Sequence, residues 1–178
     1  MKTLVIVAHP DLETSTVNRH RMEELEKYPE LFTVHRLYQK YPDGRIDIAA
    51  EQALVEQHGN LVLQFPVFWF SCPAFLKEWM DRVLAFGWAF GPQPEADKMR
   101  GRKVALGISA GIKCEEFGPG TRHAHTLEEL MWPFEAMCRY VDAHYCGVHA
   151  LYGAEAGALS DQVLDADARQ YVRFLKEL

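Results

Sequence analysis

Five short runs rich in apolar and β-branched residues punctuate this chain, and between them lie segments with helical spacing. The runs are Thr3–Ala8, Phe32–Leu37, Leu61–Phe65, Lys103–Ser109 and Tyr145–Tyr152. The helix-periodic segments are Val17–Tyr28, stopped by Pro29; Ile48–Gln57, ending near Gly59; Ala74–Phe86; Thr126–Val141; and Asp161–Leu178. Pro133 should kink the fourth of these or shift its start. Turns are expected at Tyr41-Pro42-Asp43-Gly44 and along Gly91–Gly101. Strands that alternate with helices build parallel βαβ units with right-handed crossovers. The expected fold is therefore α/β: one doubly wound, five-stranded parallel sheet with helices on both faces. Its 178 residues are enough for one core, and no linker, repeat or low-complexity stretch divides them. Residues 1–178 are read as a single domain.

Charge narrows the function classes. The formal net charge is -6. Nucleic acid and anionic membrane surfaces are poor partners for such a chain. The four cysteines, Cys72, Cys114, Cys138 and Cys146, form no Cys-x-x-Cys pair and read as free thiols in a reducing compartment. The start, Met1-Lys2 and then Thr3–Ala8, is too short for a signal or a membrane span. A cytoplasmic protein is expected.

Open α/β sheets hold ligands at the carboxyl ends of their strands. Three such ends carry unusual residues. After the first run comes His9-Pro10-Asp11-Leu12-Glu13-Thr14-Ser15-Thr16-Val17-Asn18. A helix N-terminus offers unpaired N–H groups and a positive dipole end, which suit a phosphate. The hydroxyls of Thr14, Ser15 and Thr16 and the Asn18 amide add neutral donors. The loop contains neither Gly-x-Gly-x-x-Gly nor Gly-Lys-Ser/Thr, so it is not a dinucleotide fingerprint or a Walker loop. The bland reading is plain helix capping. After the third run, Pro66 is followed by Val67, Phe68, Trp69 and Phe70. They are either a wall for a flat aromatic ligand or a hydrophobic cluster under a loop. After the fourth run, Ser109-Ala110-Gly111 forms a permissive turn where backbone approaches a ligand closely, with Lys113 beyond it. Together the three loops fit a planar ring system with a phosphate tail, such as FMN.

Other features are weaker. His123-Ala124-His125 has no clear third ligand, so no metal site is expected. Phe86-Gly87-Trp88-Ala89-Phe90 is read as a contact surface for a partner subunit.

These residues resemble the flavodoxin-like NAD(P)H dehydrogenase (quinone) family, and most closely the flavin-binding ancillary proteins of glutathione-gated potassium efflux systems. The likeness rests on Ala8-His9-Pro10 with Ser15 and Asn18, and on the block from Phe65 to Ala74 continuing through Leu76–Leu84. Tyr41-Pro42-Asp43, Ile46-Asp47-Ile48 and Trp132-Pro133-Phe134 also match. The resemblance implies sheet order 2-1-3-4-5, a homodimer, and FMN (FAD as the alternative) at the carboxyl edge. It places the flavin phosphate near His9, Ser15, Val17 and Asn18. It places the ring against Pro66, Val67, Phe68, Trp69 and Phe70, and against Ser109, Ala110 and Gly111. NAD(P)H is the implied co-substrate and a quinone or similar electrophile the acceptor. The chain departs from the family's Thr-Thr-Gly-Gly, reading Ile108-Ser109-Ala110-Gly111. Phe117 stands where quinone reductases carry a Tyr, and His123 (or His125) where they carry a His. Phe117 and His123 are the expected catalytic pair. The alternative role is a redox-sensing regulatory subunit docked on a membrane cation efflux protein, at the inner face of the membrane.

Overall fold

The computed structural model describes residues 1–92, 96–155 and 157–178. Among these, five strands form one sheet in the order β2-β1-β3-β4-β5. They are β1 (Thr3–Val7), β2 (Phe32–Arg36), β3 (Asn60–Pro66), β4 (Lys103–Ser109) and β5 (His144–Leu151). Every neighbouring pair is parallel. The flavodoxin-like order and the doubly wound layers are as expected. All of β1, and β3 and β4 beyond their first residues, are buried. That is why they read as continuous apolar runs rather than alternating ones.

Side chains alternate between the two faces of the sheet. Leu4, Ile6, Leu61, Leu63, Val104 and Leu106 pack into one cluster with Leu76, Trp79, Phe134 and Cys138. Those partners belong to α4 (Ala74–Val83) and α6 (Trp132–Tyr140), and Val55 of α3 (Ile48–Glu56) joins them. Val5, Val7, Val62 and Ala105 face the other way. There they meet Met22 and Leu25 of α1 (Val17–Leu25) and Tyr171, Val172 and Leu175 of α7 (Asp161–Lys176). Gly107, next along β4 on that second face, lies under α7. A Cβ there would sit 2.6 Å from the Tyr171 ring, so the fully buried tyrosine needs a glycine beneath it.

Several expected boundaries move, for identifiable reasons. The segment Thr126–Val141 forms two helices, α5 (Leu127–Leu130) and α6, that meet at Met131. Thr126 and Glu129 close a capping box on α5. Pro133 occupies the first turn of α6, where its missing N–H leaves no bond unmade. The third expected helix stops at Val83, not Phe86, and a four-residue helix α2 (Leu37–Lys40) appears where none was expected. Pro66 is the last residue of β3 rather than the residue that follows it. Val67 N–H turns toward β4 and donates to Ser109 O at 2.8 Å. The Pro66 nitrogen therefore turns toward β1, past Val7, the last paired residue of that strand. In the Gly91–Gly101 stretch, residues 93–95 lie outside the described residues.

Candidate functional site

The sheet ladder runs on past the strand ends and stitches four loops into one rim. Ala8 N donates to Gln64 O (2.8 Å), Val67 N to Ser109 O (2.8 Å) and Ala110 N to Leu151 O (2.9 Å). The loop after β5 folds back as well, with Ala154 N on Ala110 O at 2.9 Å and Gly153 N on Ile112 O at 3.0 Å. Between these loops opens a cleft of about 360 Å³, lined by residues of all four, including His9, Asn18, Phe68, Ser109, Gly111 and Ala154.

Its polar floor is held by residues that the fold buries. Asn18, 1 % exposed, donates from Nδ2 to Ser109 Oγ at 3.1 Å. Gln64, in the middle of β3, donates from Nε2 to Asn18 O at 2.9 Å. Ser15 Oγ accepts from Asn18 N at 3.2 Å, so the serine caps the start of α1. Asn18 Oδ1 is buried without a hydrogen-bond partner among the described residues. Turning this amide over would let Ser109 Oγ–H donate to Oδ1 and free Nδ2 to donate into the cleft. His9 accepts at Nδ1 from Asp11 N–H at 3.1 Å. Burial pushes its pKa down, against the opposing pull of Asp11, and so favours the neutral ring with its proton on Nε2. None of the described residues lining this cleft carries a carboxylate. Neutral donors, a helix N-terminus and an unsatisfied amide suit a phosphate ester, so the chain's own residues fit the phosphate end of a flavin mononucleotide.

The aromatic loop is a tight turn. Phe68 and Ser71 exchange backbone hydrogen bonds, Phe68 N to Ser71 O at 2.9 Å and Ser71 N to Phe68 O at 3.0 Å. Trp69 and Phe70 occupy its corners with φ of 48° and 60°. Two successive positive φ values are normally left to Asn-Gly, because a bulky Cβ clashes there at about 1–2 kcal/mol per residue. The turn thus stores strain, and Trp69 is 94 % exposed.

A second cleft of about 400 Å³ adjoins the first and shares Gly111 with it. Phe70 and His123 line it, their ring centroids 5.3 Å apart. Phe117 backs His123, also at 5.3 Å, and meets Tyr152 at 5.7 Å. His125 points away, its Nδ1 3.5 Å from Glu129 Oε2.

Of the residues singled out from the sequence, His9, Ser15, Val17, Asn18, Pro66, Val67, Phe68, Ser109 and Gly111 line the first cleft. Phe70, Gly111 and His123 line the second. Trp69, Ala110 and Phe117 line neither. Ala110 is buried, its N–H and C=O both engaged by the β5 side of the rim. Sequence reasoning missed Gln64 and the Tyr152–Glu155 loop. A glutamine inside an apolar run was the visible signal for the first. For the second it was simply the fifth strand's carboxyl end, which shares the rim with the others.

The general stress protein 14 of Treponema denticola, solved in complex with FMN, is 39% identical, superposes with a TM-score of 0.92, and is covered over 99% of both chains. An NADPH-quinone reductase from P. pentosaceus is 29% identical, with a TM-score of 0.85 over 99% of this chain and 97% of that one. The glutathione-regulated potassium-efflux system ancillary protein KefG of Cronobacter sakazakii is 37% identical over 99% of this chain and 93% of its own. Residues 1–175 match the family described by its flavodoxin-like fold, and the chain belongs to that family.

Proposed function

We propose that this protein is an oxidoreductase that passes hydride from NAD(P)H to a quinone or similar electrophile through bound FMN. When bound, FMN supplies the two-electron redox chemistry. The observation that carries this reading is the first cleft, where a phosphate-type donor set on α1 and an aromatic turn after β3 face each other across one opening. The FMN complex of the Treponema relative and the activity named for the P. pentosaceus reductase support it.

The chain's own residues divide the work. His9, Ser15, Val17 and Asn18 hold the phosphate with neutral donors and the α1 N-terminus. Pro66, Val67, Phe68, Ser109 and Gly111 frame the ring from the first cleft, with Phe70 facing it from the second, Trp69 exposed beside it and Ala110 buried behind, holding the rim. His123 donates a proton or hydrogen bond to the acceptor's carbonyl oxygen from the second cleft. Phe117 is a positioning residue that stacks behind His123, since it has no phenol to donate. Steady-state rates with NAD(P)H and a quinone test the reading. Parallel double-reciprocal lines are expected; oxidation no faster than free FMN sustains would sink it.

The strained turn yields a paired prediction. Asn tolerates positive φ better than Trp, so Trp69→Asn should leave stability unchanged or raise it by about 0.5–1 kcal/mol. The same change should weaken FMN binding. Thermal unfolding of the apoprotein and a flavin titration read the two separately; unchanged flavin affinity would remove Trp69 from the wall.

The proposed assembly is a homodimer. Phe86 and Tyr140, 71 % and 70 % exposed, flank an apolar groove of about 540 Å³ between α4 and α6. Phe90 packs against Tyr140 with centroids 5.2 Å apart. Trp88 and Ala89 instead fold inward, so the Phe86–Phe90 segment is half core and half surface. Sedimentation should give twice the 20.4 kDa chain mass, and Phe86→Glu should halve it. A monomeric wild type would refute the assembly.

The likeness to KefG favours a second reading, a flavoprotein subunit docked on a potassium efflux protein at the inner face of the membrane. No helix among the described residues is long and apolar enough to cross a membrane itself. Retention on vesicles carrying such a transporter, but not on bare vesicles, would favour this role; retention on neither would count against it.

A further inference from the structure

We infer that Lys113 and Arg122 hold the phosphate-bearing tail of the reduced pyridine dinucleotide in the second cleft. This rests on the oxidoreductase reading and assigns residues to its electron donor. Nine positions separate the two cations along the chain, and the fold sets both on one cleft. The intervening loop is pinned to itself. Gly118 N donates to His125 O (2.9 Å), His123 N to Glu116 O (3.3 Å), and Thr121 Oγ1 to Glu116 O (2.6 Å). Lys113 is held on the other side, where Gly153 N bonds the carbonyl of its neighbour Ile112. The two charges therefore sit on a closed, preorganised loop, which lowers the ordering entropy of capturing an anion.

Neither cation has an ion-pair partner among the described residues. Many basic side chains elsewhere do have one: Lys27 with Glu24, Arg36 with Glu26, Lys77 with Asp81, Arg82 with Glu78 and Arg139 with Glu135. The cleft also carries Glu116 and Glu155, so its lining is formally neutral, and the attraction for an anion is local to the two unpaired cations. The rest of the lining fits the same ligand. Phe70 and His123 offer flat faces for a planar base. Glu116 and Glu155, also on the cleft, accept hydrogen bonds from ribose hydroxyls. The shared Gly111 leaves the hydride-donating ring next to the first cleft while the tail runs toward Lys113 and Arg122.

The test uses FMN-loaded protein carrying Lys113→Gln, Arg122→Gln, or both. Each side chain is at the surface, so unchanged thermal unfolding establishes that the variants fold. Removing a charge-assisted contact made equally in the ground and transition states raises KM and leaves kcat alone. Each single change should raise the dinucleotide KM about tenfold. The double variant should also flatten its salt dependence. Calorimetric titration with NADP+ and NAD+ should show the same loss without turnover. The reference donor is 1-benzyl-1,4-dihydronicotinamide, which has no phosphate; its kinetics should not follow the charges. Losses with both NADH and NADPH place the pyrophosphate at the two cations, and a loss with NADPH alone places the 2′-phosphate there. Unchanged dinucleotide affinity in the double variant, or an equal loss with the benzyl donor, overturns the inference. A wild type that oxidises neither kind of donor overturns the oxidoreductase reading beneath it.

Discussion

Replacing Arg21 with Met should destabilise the protein by about 3–5 kcal/mol, the usual result of removing one partner from a buried ion pair. Arg21 is fully buried in α1, one turn beyond Asn18. Its Nε donates to Asp167 Oδ2 at 2.7 Å and its Nη2 to Oδ1 at 3.0 Å, a bidentate fork across to α7. Nη1 donates to Ile108 O at 3.0 Å, and the guanidinium lies 4.8 Å from the centre of the Tyr171 ring. His149 Nε2 approaches the same carboxylate at 2.9 Å. Methionine would fill the space and leave the buried Asp167 carboxylate with His149 but without its bidentate cation. Burial alone would push the Asp167 pKa up, but the hydrogen bonds from His149 and Arg21 outweigh it and hold the pKa below the usual carboxylate value. A carboxylate with a depressed folded pKa stabilises the fold above its unfolded pKa, about 3.9. That contribution is lost as pH falls through the lower folded value. Without Arg21 the carboxyl no longer has its depressed pKa, so the cost of the substitution should be greatest near neutral pH and shrink as pH falls through the carboxylate range. Urea unfolding at pH 7 and an acid series on both proteins test this; a loss under about 0.5 kcal/mol would mean the pair is not carrying charge. Changing both partners, Arg21→Met with Asp167→Leu, should recover much of the loss.

Asn18→Leu should weaken FMN binding by about 10–100-fold and riboflavin binding little. A hydrogen bond to a charged phosphate is worth about 1.5–3 kcal/mol, and riboflavin lacks that phosphate. Leucine keeps the branching of asparagine in a somewhat larger side chain, and removes both the Ser109 contact and the unsatisfied oxygen. The fold should lose only about 1 kcal/mol, because a buried acceptor without a partner disappears along with the donor. Titrating the apoprotein with each flavin, followed by flavin fluorescence, separates the outcomes. Equal losses for FMN and riboflavin would move the phosphate away from Asn18.

The two mutations also mark what the chain's one-dimensional pattern reveals. Asn18 follows a run of hydroxyl residues at the start of a helix, a pattern that fits an anion site or plain capping and gained weight only beside the other two loops. Arg21 and Asp167 lie on α1 and α7, and nothing in periodicity joins them; only the packing of two helices on one sheet face does. The central strands were legible because both their faces are covered, which leaves unbroken apolar runs. The four residues of α2 are too few to show a helical period. Pro133 gave warning of a break near α6, yet the cap formed by Thr126 and Glu129 sets where the first helix starts. The turn at Phe68–Ser71 was hidden because Trp-Phe is the opposite of normal turn chemistry, and that mismatch makes it informative. Lys113 was visible in the sequence as a positive charge beyond the Ser109–Gly111 turn; that Arg122 shares its cleft was not, because the closure of the intervening loop brings them to one opening.

The most direct test is the cofactor itself. Purified protein should be yellow, with absorption near 450 nm as flavins show, and should release about one FMN per chain, identified by mass after heat denaturation. A colourless preparation that takes up neither FMN nor FAD when they are added would contradict the assignment of the cleft between the β1, β3 and β4 loops.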